Sequence, residues 1–316
     1  MDYLITIAGL ALLVAGGEGM VRGAVGIARH ARISPMIVGL TIVGFGTSAP
    51  ELVVSVDAVL SGVPGLAVGN VIGSNIANMM LVVGCAAVIV PLTVHRDVLV
   101  RDSAVLVGAT LLFVAIALSG SAEIEQGILM LIALGLYLGF SVWMDRRRAT
   151  GAGELHSAES EEIETGLPDK PAVLILVTAV GLCALVGGSR LAVEGATVIA
   201  RGYGVSEELI GLTLVAIGTS LPELATAIVA ARRGHDDVCI GNVIGSSIFN
   251  LLAITGASAI AGTVPFSAEI MDFDIWALLV VTIGLIALML TGRRITRREG
   301  VVLIVLYAAY LLVHVY

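Results

Sequence analysis

Two short segments of the chain place a carboxylate, two hydroxyls and a proline at matching points. They are Gly46-Thr47-Ser48-Ala49-Pro50-Glu51 and, 172 residues later, Gly218-Thr219-Ser220-Leu221-Pro222-Glu223. In each, Thr and Glu stand at i and i+4 on one helix face, with Ser beside them. Proline lacks an amide hydrogen and crowds the preceding turn. The carbonyl of Gly46 or Gly218 therefore loses its usual partner, and the helix is expected to bend or open there. Both segments lie inside strongly apolar stretches. A glutamate in hydrocarbon is costly and by default marks a site that handles ions or protons. A freed carbonyl at that depth is tolerated only where a cation or a water-lined cavity satisfies it.

The repeat extends further. Gly69-Asn70-Val71-Ile72-Gly73-Ser74-Asn75-Ile76-Ala77-Asn78 returns as Gly241-Asn242-Val243-Ile244-Gly245-Ser246-Ser247-Ile248-Phe249-Asn250 at the same offset, and 37–84 matches 209–256 at 21 of 48 positions without a gap. Chance would give about 4 to 6. The chain is a duplication, of the kind found in secondary transporters. Ser74 and Asn78, like Ser246 and Asn250, are spaced i, i+4. With the Thr, Ser and Glu side chains they form an oxygen donor set suited to a hard cation such as Ca²⁺, which takes about 6–8 oxygens. Ser, Thr and Asn also serve as interhelical glue, but duplicated Glu–Pro pairs are hard to read as packing. Cys85, Cys183 and Cys239 are scattered and odd in number, so they suggest no disulfide framework or zinc site. The five histidines, at 30, 95, 156, 235 and 314, fall at span ends or in loops.

The elements that must position these residues are membrane spans. Of 316 residues 58% are hydrophobic and 13% charged, and the mean hydropathy is +1.03. A soluble protein of this length cannot bury so much apolar surface. The fold class is an all-α polytopic membrane protein with ten transmembrane helices. Apolar runs fall at about 3–28, 36–60, 67–94, 99–118, 124–144, 172–200, 208–231, 238–263, 274–291 and 299–315. The first run lacks the basic start of a cleaved signal peptide. Residues 1–145 form one five-span repeat and 172–316 the other, joined by an acidic, solvated linker over 146–171. Five is odd, so the second repeat enters the membrane inverted. Arg29, Arg32, Arg96, Arg101, Arg146, Arg147, Arg148, Lys170, Arg232, Arg233, Arg293, Arg294, Arg297 and Arg298 share one set of loops. The other set holds Arg201 and the acids Glu123, Glu125, Glu207, Glu208, Glu269, Asp272 and Asp274. The positive-inside rule puts the first set in the cytoplasm and both termini outside a prokaryotic cell membrane. The net charge of −8 suggests no nucleic-acid partner.

Other charges also lie within the spans. Glu18 and Arg22 map by the same offset onto Arg190 and Glu194, with signs exchanged, and each couple is expected to pair within its own helix. A gate or aqueous route is the sharper reading. Glycines crowd both of these spans, which favours close packing. Asp57 has Val229 as its counterpart and reads as a solvated acid or a cation lure near the outer end.

Together these segments resemble the alpha-repeats of the sodium/calcium exchangers, within the calcium:cation antiporter superfamily. The motifs G-T-S-x-P-E and G-N-x-I-G-S-x-x-x-N occur in both halves. The resemblance implies Ca²⁺ and Na⁺ bound at the bilayer midplane by Thr47, Ser48, Glu51, Ser74, Asn78, Thr219, Ser220, Glu223, Ser246 and Asn250. Backbone carbonyls of Gly44 and Ala216 would complete the set. It also implies that the first span of each repeat moves to switch access. Many members have Asp at the position of Asn250, so this site carries two formal negative charges rather than three. One Ca²⁺, or two protons, would neutralise the pair, which leaves H⁺-coupled or K⁺-dependent cation exchange as alternatives to Na⁺/Ca²⁺ antiport. A channel would need a continuous pore, and an intramembrane protease would need a base beside Ser48 or Ser220. No enzyme activity or cofactor is expected, and the chain is expected to act as a monomer.

Overall fold

A computed structural model describes residues 2–31, 33–94, 101–151, 166–204 and 216–313. Arg32, His95, Arg96, the acidic cluster at 154–164 with His156, Glu207, Glu208, the start of the seventh expected span and His314 lie outside the described residues.

The described chain is helical with four two-residue strands. Helix α1 spans Asp2–Ala31, with Asp2 in its first turn and Arg29 and His30 in its last, where they complement the helix dipole. Helix α2 (Pro35–Thr47) starts from Ser34, whose hydroxyl accepts the Ile37 amide at 3.4 Å. Then come α3 (Ala49–Leu60), α4 (Pro64–Ile89), β1 (Leu92–Thr93), α5 (Ser103–Leu118), β2 (Ser121–Ala122) and α6 (Ile124–Gly151). The second half comprises α7 (Pro171–Gly202), α8 (Ala216–Thr219), α9 (Leu221–Arg232), α10 (Asp236–Ala261), β3 (Val264–Pro265), α11 (Ile270–Leu290), β4 (Arg294–Ile295) and α12 (Arg297–Val313). The bounds of α3, α4 and β1 recur at α9, α10 and β3 with the offset of 172.

Among the described residues, six helices are long and apolar enough to cross a membrane: α1, α4, the 124–144 stretch of α6, α7, α10 and α11. Helices α2 and α3 together make a seventh, bent by 45°. The fold is a mostly helical, polytopic membrane type. Helix α6 runs past the expected boundary at 145 to Gly151, because the arginines and alanine that follow are strong helix formers and suit a helix C-terminus.

Helices α1 and α7 form an antiparallel pair in backbone contact. Gly9, Gly16 and Gly23 are spaced by seven and share one stripe of α1, as Gly181, Gly188 and Gly195 do on α7. A Cβ on Gly9 would lie 2.4 Å from the Ala192 nitrogen, and one on Gly16 2.7 Å from that of Leu185, so only glycine allows this approach. At the centre, α10 is enclosed on all sides, with every residue from Val238 to Phe249 buried.

The strands tie loops together at two ends. At one, β1 pairs antiparallel with β4, and the Thr93 amide donates to the Asp236 carboxylate at 2.9 Å. Arg297 donates to the Ile89 carbonyl there, and His30 meets Asp169. At the other end β2 pairs with β3, and the Tyr3 and Tyr203 hydroxyls meet at 3.1 Å. The first end collects the basic loops and the second the acidic ones, and they are called the basic and acidic ends below.

The intrahelical pairing expected of the membrane charges is only partly observed. Glu18 lies 3.9 Å from Arg22, but its closer partner is Arg233, whose Nε donates to Oε2 at 2.8 Å and whose second nitrogen also engages the carboxylate. Arg190 and Glu194 are exposed and make no ion pair among the described residues. Arg233 follows α9, against which α1 packs, so geometry favours the long-range partner. Exposure removes the burial cost that would have driven Arg190 and Glu194 together.

Candidate cation site

Both helix breaks form where proline removes the donor. Ser48 leaves the helical conformation at φ −88°, ψ 5°, and Ser220 does the same at φ −88°, ψ 4°. The bend therefore falls two residues after the glycine whose carbonyl is freed. Each break turns Glu51 or Glu223 into the first turn of a new helix, α3 or α9, where the helix dipole favours negative charge.

The two halves interlock at these breaks. Ser48 donates from Oγ to Glu223 Oε1 at 3.1 Å. The Thr47 hydroxyl lies 3.3 Å from Ser246 Oγ and 3.3 Å from Asn242 Oδ1, and Ser246 Oγ donates to the Gly44 carbonyl at 3.3 Å. Close approach of α2 to α10 makes this reach possible. A Cβ on Gly44 would sit 2.9 Å from the Ser246 nitrogen, and one on Gly245 would sit 2.4 Å from the Leu40 carbonyl oxygen. Phe45 and Phe249 meet beside the break in a tilted contact, with ring centroids 4.1 Å apart.

Of the expected ligands, Thr47, Ser48, Glu51, Ser74, Asn78, Ser220, Glu223, Ser246 and Asn250 are all buried, Glu51 at 1% exposure and Glu223 at 0%. Thr219 is half-buried at the end of α8, Gly44 is buried, and Ala216 opens α8. The hydrogen bonds bring Thr47, Ser48, Glu223, Ser246 and the Gly44 carbonyl directly together. Among the described residues, both carboxylate oxygens of Glu51 have no hydrogen-bond partner, nor do Glu223 Oε2, Ser220 Oγ or the side-chain amides of Asn78 and Asn250. Buried polar atoms are nearly always paired, and leaving a charged one unpaired costs several kcal/mol. Bare, buried oxygens on duplicated motifs are a donor set suited to a desolvated cation.

Asn78 and Asn250 each open a π-helical turn, Asn78–Val82 and Asn250–Ile254. Such turns insert one extra residue into a helix and cluster at functional sites. Their presence cannot be read from residue types.

Three further residues support the candidate site although the sequence analysis gave them no role. Asn70 donates to the Glu51 carbonyl at 3.1 Å and to Ser55 Oγ at 2.8 Å, and its counterpart Asn242 donates to the Glu223 carbonyl at 3.4 Å. Each asparagine clamps a glutamate's backbone from the neighbouring helix. Both stand in the repeated G-N-x-I-G-S motif, so the duplication itself was the available signal. In the second half Ser189 of α7 donates to the Gly218 carbonyl at 2.5 Å, taking up the acceptor that Pro222 frees. Its counterpart in α1 is Gly17, which offers no such donor.

The chain resembles known proteins along its whole length. The sodium/calcium exchanger protein family matches residues 1–143 and 173–316. A putative antiporter, CaxA, of Alkalimonas amylolytica is 38% identical over 310 residues, covering 97% of this chain and 96% of its own. The sodium/calcium exchanger MaX1 of Methanosarcina acetivorans is 32% identical over 350 residues, covering 100% and 99%. Among solved structures, the sodium-calcium exchanger NCX_Mj, in crystals soaked with zero Na⁺ and Ca²⁺, superposes with a TM-score of 0.84 at 29% identity. That match covers 98% of each chain. With the family matched across both halves, and the interhalf gap falling at the linker, the chain belongs to the sodium/calcium exchanger protein family.

Proposed function

We propose that the chain is a secondary antiporter that exchanges Na⁺ for Ca²⁺ across a membrane, through one cage built by both halves. Glu51 and Glu223 supply the charge. Thr47, Ser48, Ser74, Asn78, Thr219, Ser220, Ser246 and Asn250 supply neutral oxygens, with the carbonyls of Gly44 and Ala216. Ca²⁺ and Na⁺ are cargo, and no cofactor takes part. The observation that carries this reading is the set of bare, buried oxygens on Glu51, Glu223, Ser220, Asn78 and Asn250.

Exchange follows from charge. Two buried carboxylates cost several kcal/mol each when uncompensated, so an empty cage resists closure. One Ca²⁺ neutralises both, and Na⁺ ions compete for the same oxygens. Only a loaded site can therefore be closed off from one side and opened to the other, which couples the two fluxes. The two halves act as inverted five-helix repeats in a ten-span monomer. The basic end faces the cytoplasm and both termini lie outside, so inward Na⁺ movement extrudes Ca²⁺.

Asn at both 78 and 250 leaves the cage with two carboxylates, and two protons would balance them as one Ca²⁺ does. That observation favours H⁺ coupling as the second reading. The experiment is ⁴⁵Ca²⁺ uptake by proteoliposomes loaded with Na⁺, with K⁺, or with an imposed pH gradient. Uptake that needs internal Na⁺ is expected. Equal uptake driven by protons alone overturns the sodium assignment, and undiminished exchange by Glu51→Gln or Glu223→Gln overturns the site.

A further inference from the structure

Helix α1 packs along α9, whereas its counterpart α7 makes no such packing with α3, the counterpart of α9. The contact is intimate. A Cβ on Gly17 would lie 3.3 Å from both the Ala225 carbonyl oxygen and a methyl of Val229. Immediately beyond it, Glu18 is bound in two-point fashion by Arg233 at the end of α9. This closes the basic end of the seam between α1 and α9.

Carrying that arrangement onto the other half by the offset of 172 replaces Gly17 with Ser189, Glu18 with Arg190, Ala225 with Val53, Val229 with Asp57 and Arg233 with Ser61. Packing of α7 along α3 would then set Ser189 against Asp57 and Arg190 opposite Ser61, one turn from that acid and within reach of a guanidinium. Arg190 and Asp57 are both exposed and neither makes an ion pair among the described residues. The basic partner of the first couple follows the end of α9, and the acidic partner of the second stands on α3. The charges are thus exchanged between the halves, so neither couple can satisfy the other's residues by mistake.

We propose that Glu18–Arg233 and Arg190–Asp57 are alternating latches, positioning pairs for the exchange reaction. The first holds the basic end shut while the cage communicates with the acidic end. The second forms at the acidic end when α7 closes onto α3 and α1 leaves α9. In that movement Ser189 gives up the Gly218 carbonyl, which frees an acceptor in the second break as the first latch opens. Glu18 and Arg233 are half-exposed while paired, and Arg190 and Asp57 are exposed while apart, so each pair biases the equilibrium modestly rather than locking it. The inference rests on the two halves alternating as proposed above, but it does not depend on which ion drives them.

The test is a cysteine pair, Asp57→Cys with Arg190→Cys, in a background with Cys85, Cys183 and Cys239 replaced, reconstituted in vesicles. Oxidative crosslinking during turnover is expected to arrest exchange, with recovery on reduction. Adding Glu18→Gln or Arg233→Gln, which removes the first latch, should raise the crosslinking rate by about fivefold, the scale of a half-exposed ion pair. A purely structural role for Glu18–Arg233 would leave that rate unmoved. Absence of crosslinking with exchange intact overturns the latch alone. An unchanged rate in both latch variants overturns it as well. Failure of the starting protein to exchange any ion pair overturns the functional reading instead.

Discussion

Replacing Gly245 by alanine tests whether the cage depends on backbone contact between the halves. The added Cβ would meet Leu40 at three backbone atoms, O at 2.4 Å, Cα at 2.7 Å and C at 2.8 Å, so no rotamer change can relieve it. Helices α2 and α10 must part by about 1 Å to reach an ordinary contact. Overpacking of this kind costs about 1–3 kcal/mol. The same separation carries the Thr47–Ser246 contact and the Ser246 bond to the Gly44 carbonyl, both at 3.3 Å, beyond hydrogen-bonding range. Each loss adds about 0.5–1.5 kcal/mol, while the better helix propensity of alanine returns about 0.5–1 kcal/mol. The balance centres on about 3 kcal/mol, or roughly two decades in apparent Ca²⁺ affinity if it falls on the ion-competent geometry. The assay is the Ca²⁺ dependence of exchange in proteoliposomes, with thermal unfolding in detergent beside it. Gly284→Ala is the control, since that glycine is exposed with nothing within 4 Å of a Cβ. A Gly245→Ala protein whose Ca²⁺ dependence stays within about threefold of the parent would refute the argument.

Asn242→Ala removes the acceptor of the Thr47 hydroxyl and the donor to the Glu223 carbonyl, so apparent Ca²⁺ affinity should fall about tenfold with little change in folding. Asn70→Ala should act alike through Glu51, and isothermal titration or transport kinetics reads both. Arg101→Gln strips the partner held at 2.7 Å from Asp102, which is fully buried. The Tyr137 hydroxyl still donates to that acid, so unfolding measurements should show a loss near the low end of the roughly 3–5 kcal/mol for a broken buried pair. Burial and the neighbouring Arg233 push the His235 imidazole below its ordinary 6.5, against the opposing pull of Asp236. The folded protein therefore prefers the neutral ring. That preference contributes in full above the ordinary value and is lost as pH falls toward the lowered one. Thermal stability should drop on acidification below about pH 6.5, and His235→Gln should flatten that slope.

The candidate ligand set could be proposed from sequence because duplication did the work of an alignment. Glu51 and Glu223 would each be one odd acid in an apolar run, and only their register turned them into a site. Proline made the helix breaks legible too, though the bend falls at Ser48 and Ser220 rather than at the glycines. The rest depends on long-range geometry. Glu18 looked committed to Arg22 because i, i+4 spacing is all that a sequence displays. The partner it takes, Arg233, stands 215 residues away and is brought near only by the packing of α1 on α9. The π-helical turns at Asn78 and Asn250 are likewise invisible, since an inserted residue changes hydrogen bonding without changing composition. The clamps formed by Asn70 and Asn242 were in plain view within the motif. They acquire meaning only when the neighbouring helix delivers a glutamate carbonyl to them.

The two halves supply matching oxygens but hold them differently, and the difference has a direction. Ser48 is committed to Glu223, while Ser220 and Glu51, the reciprocal couple, are not bonded to each other. Ser189 ties α7 to the break at Gly218, while Gly17 leaves α1 without a hydroxyl to tie at Gly46. A perfectly symmetric duplication would have two closed arrangements of equal energy, with nothing but ion gradients to choose between them. Here each half has its own set of ties, each worth about a kcal/mol or so. Such sums can bias a two-state equilibrium by tenfold or more without preventing ions of differing affinity from reversing it. The cage can therefore stay chemically alike from both sides while the supports set which side opens at rest. Substitutions at Ser189 or Glu18 should for that reason move the resting state more than they move ion selectivity, which the proposed cage assigns to Glu51, Glu223 and the two asparagines.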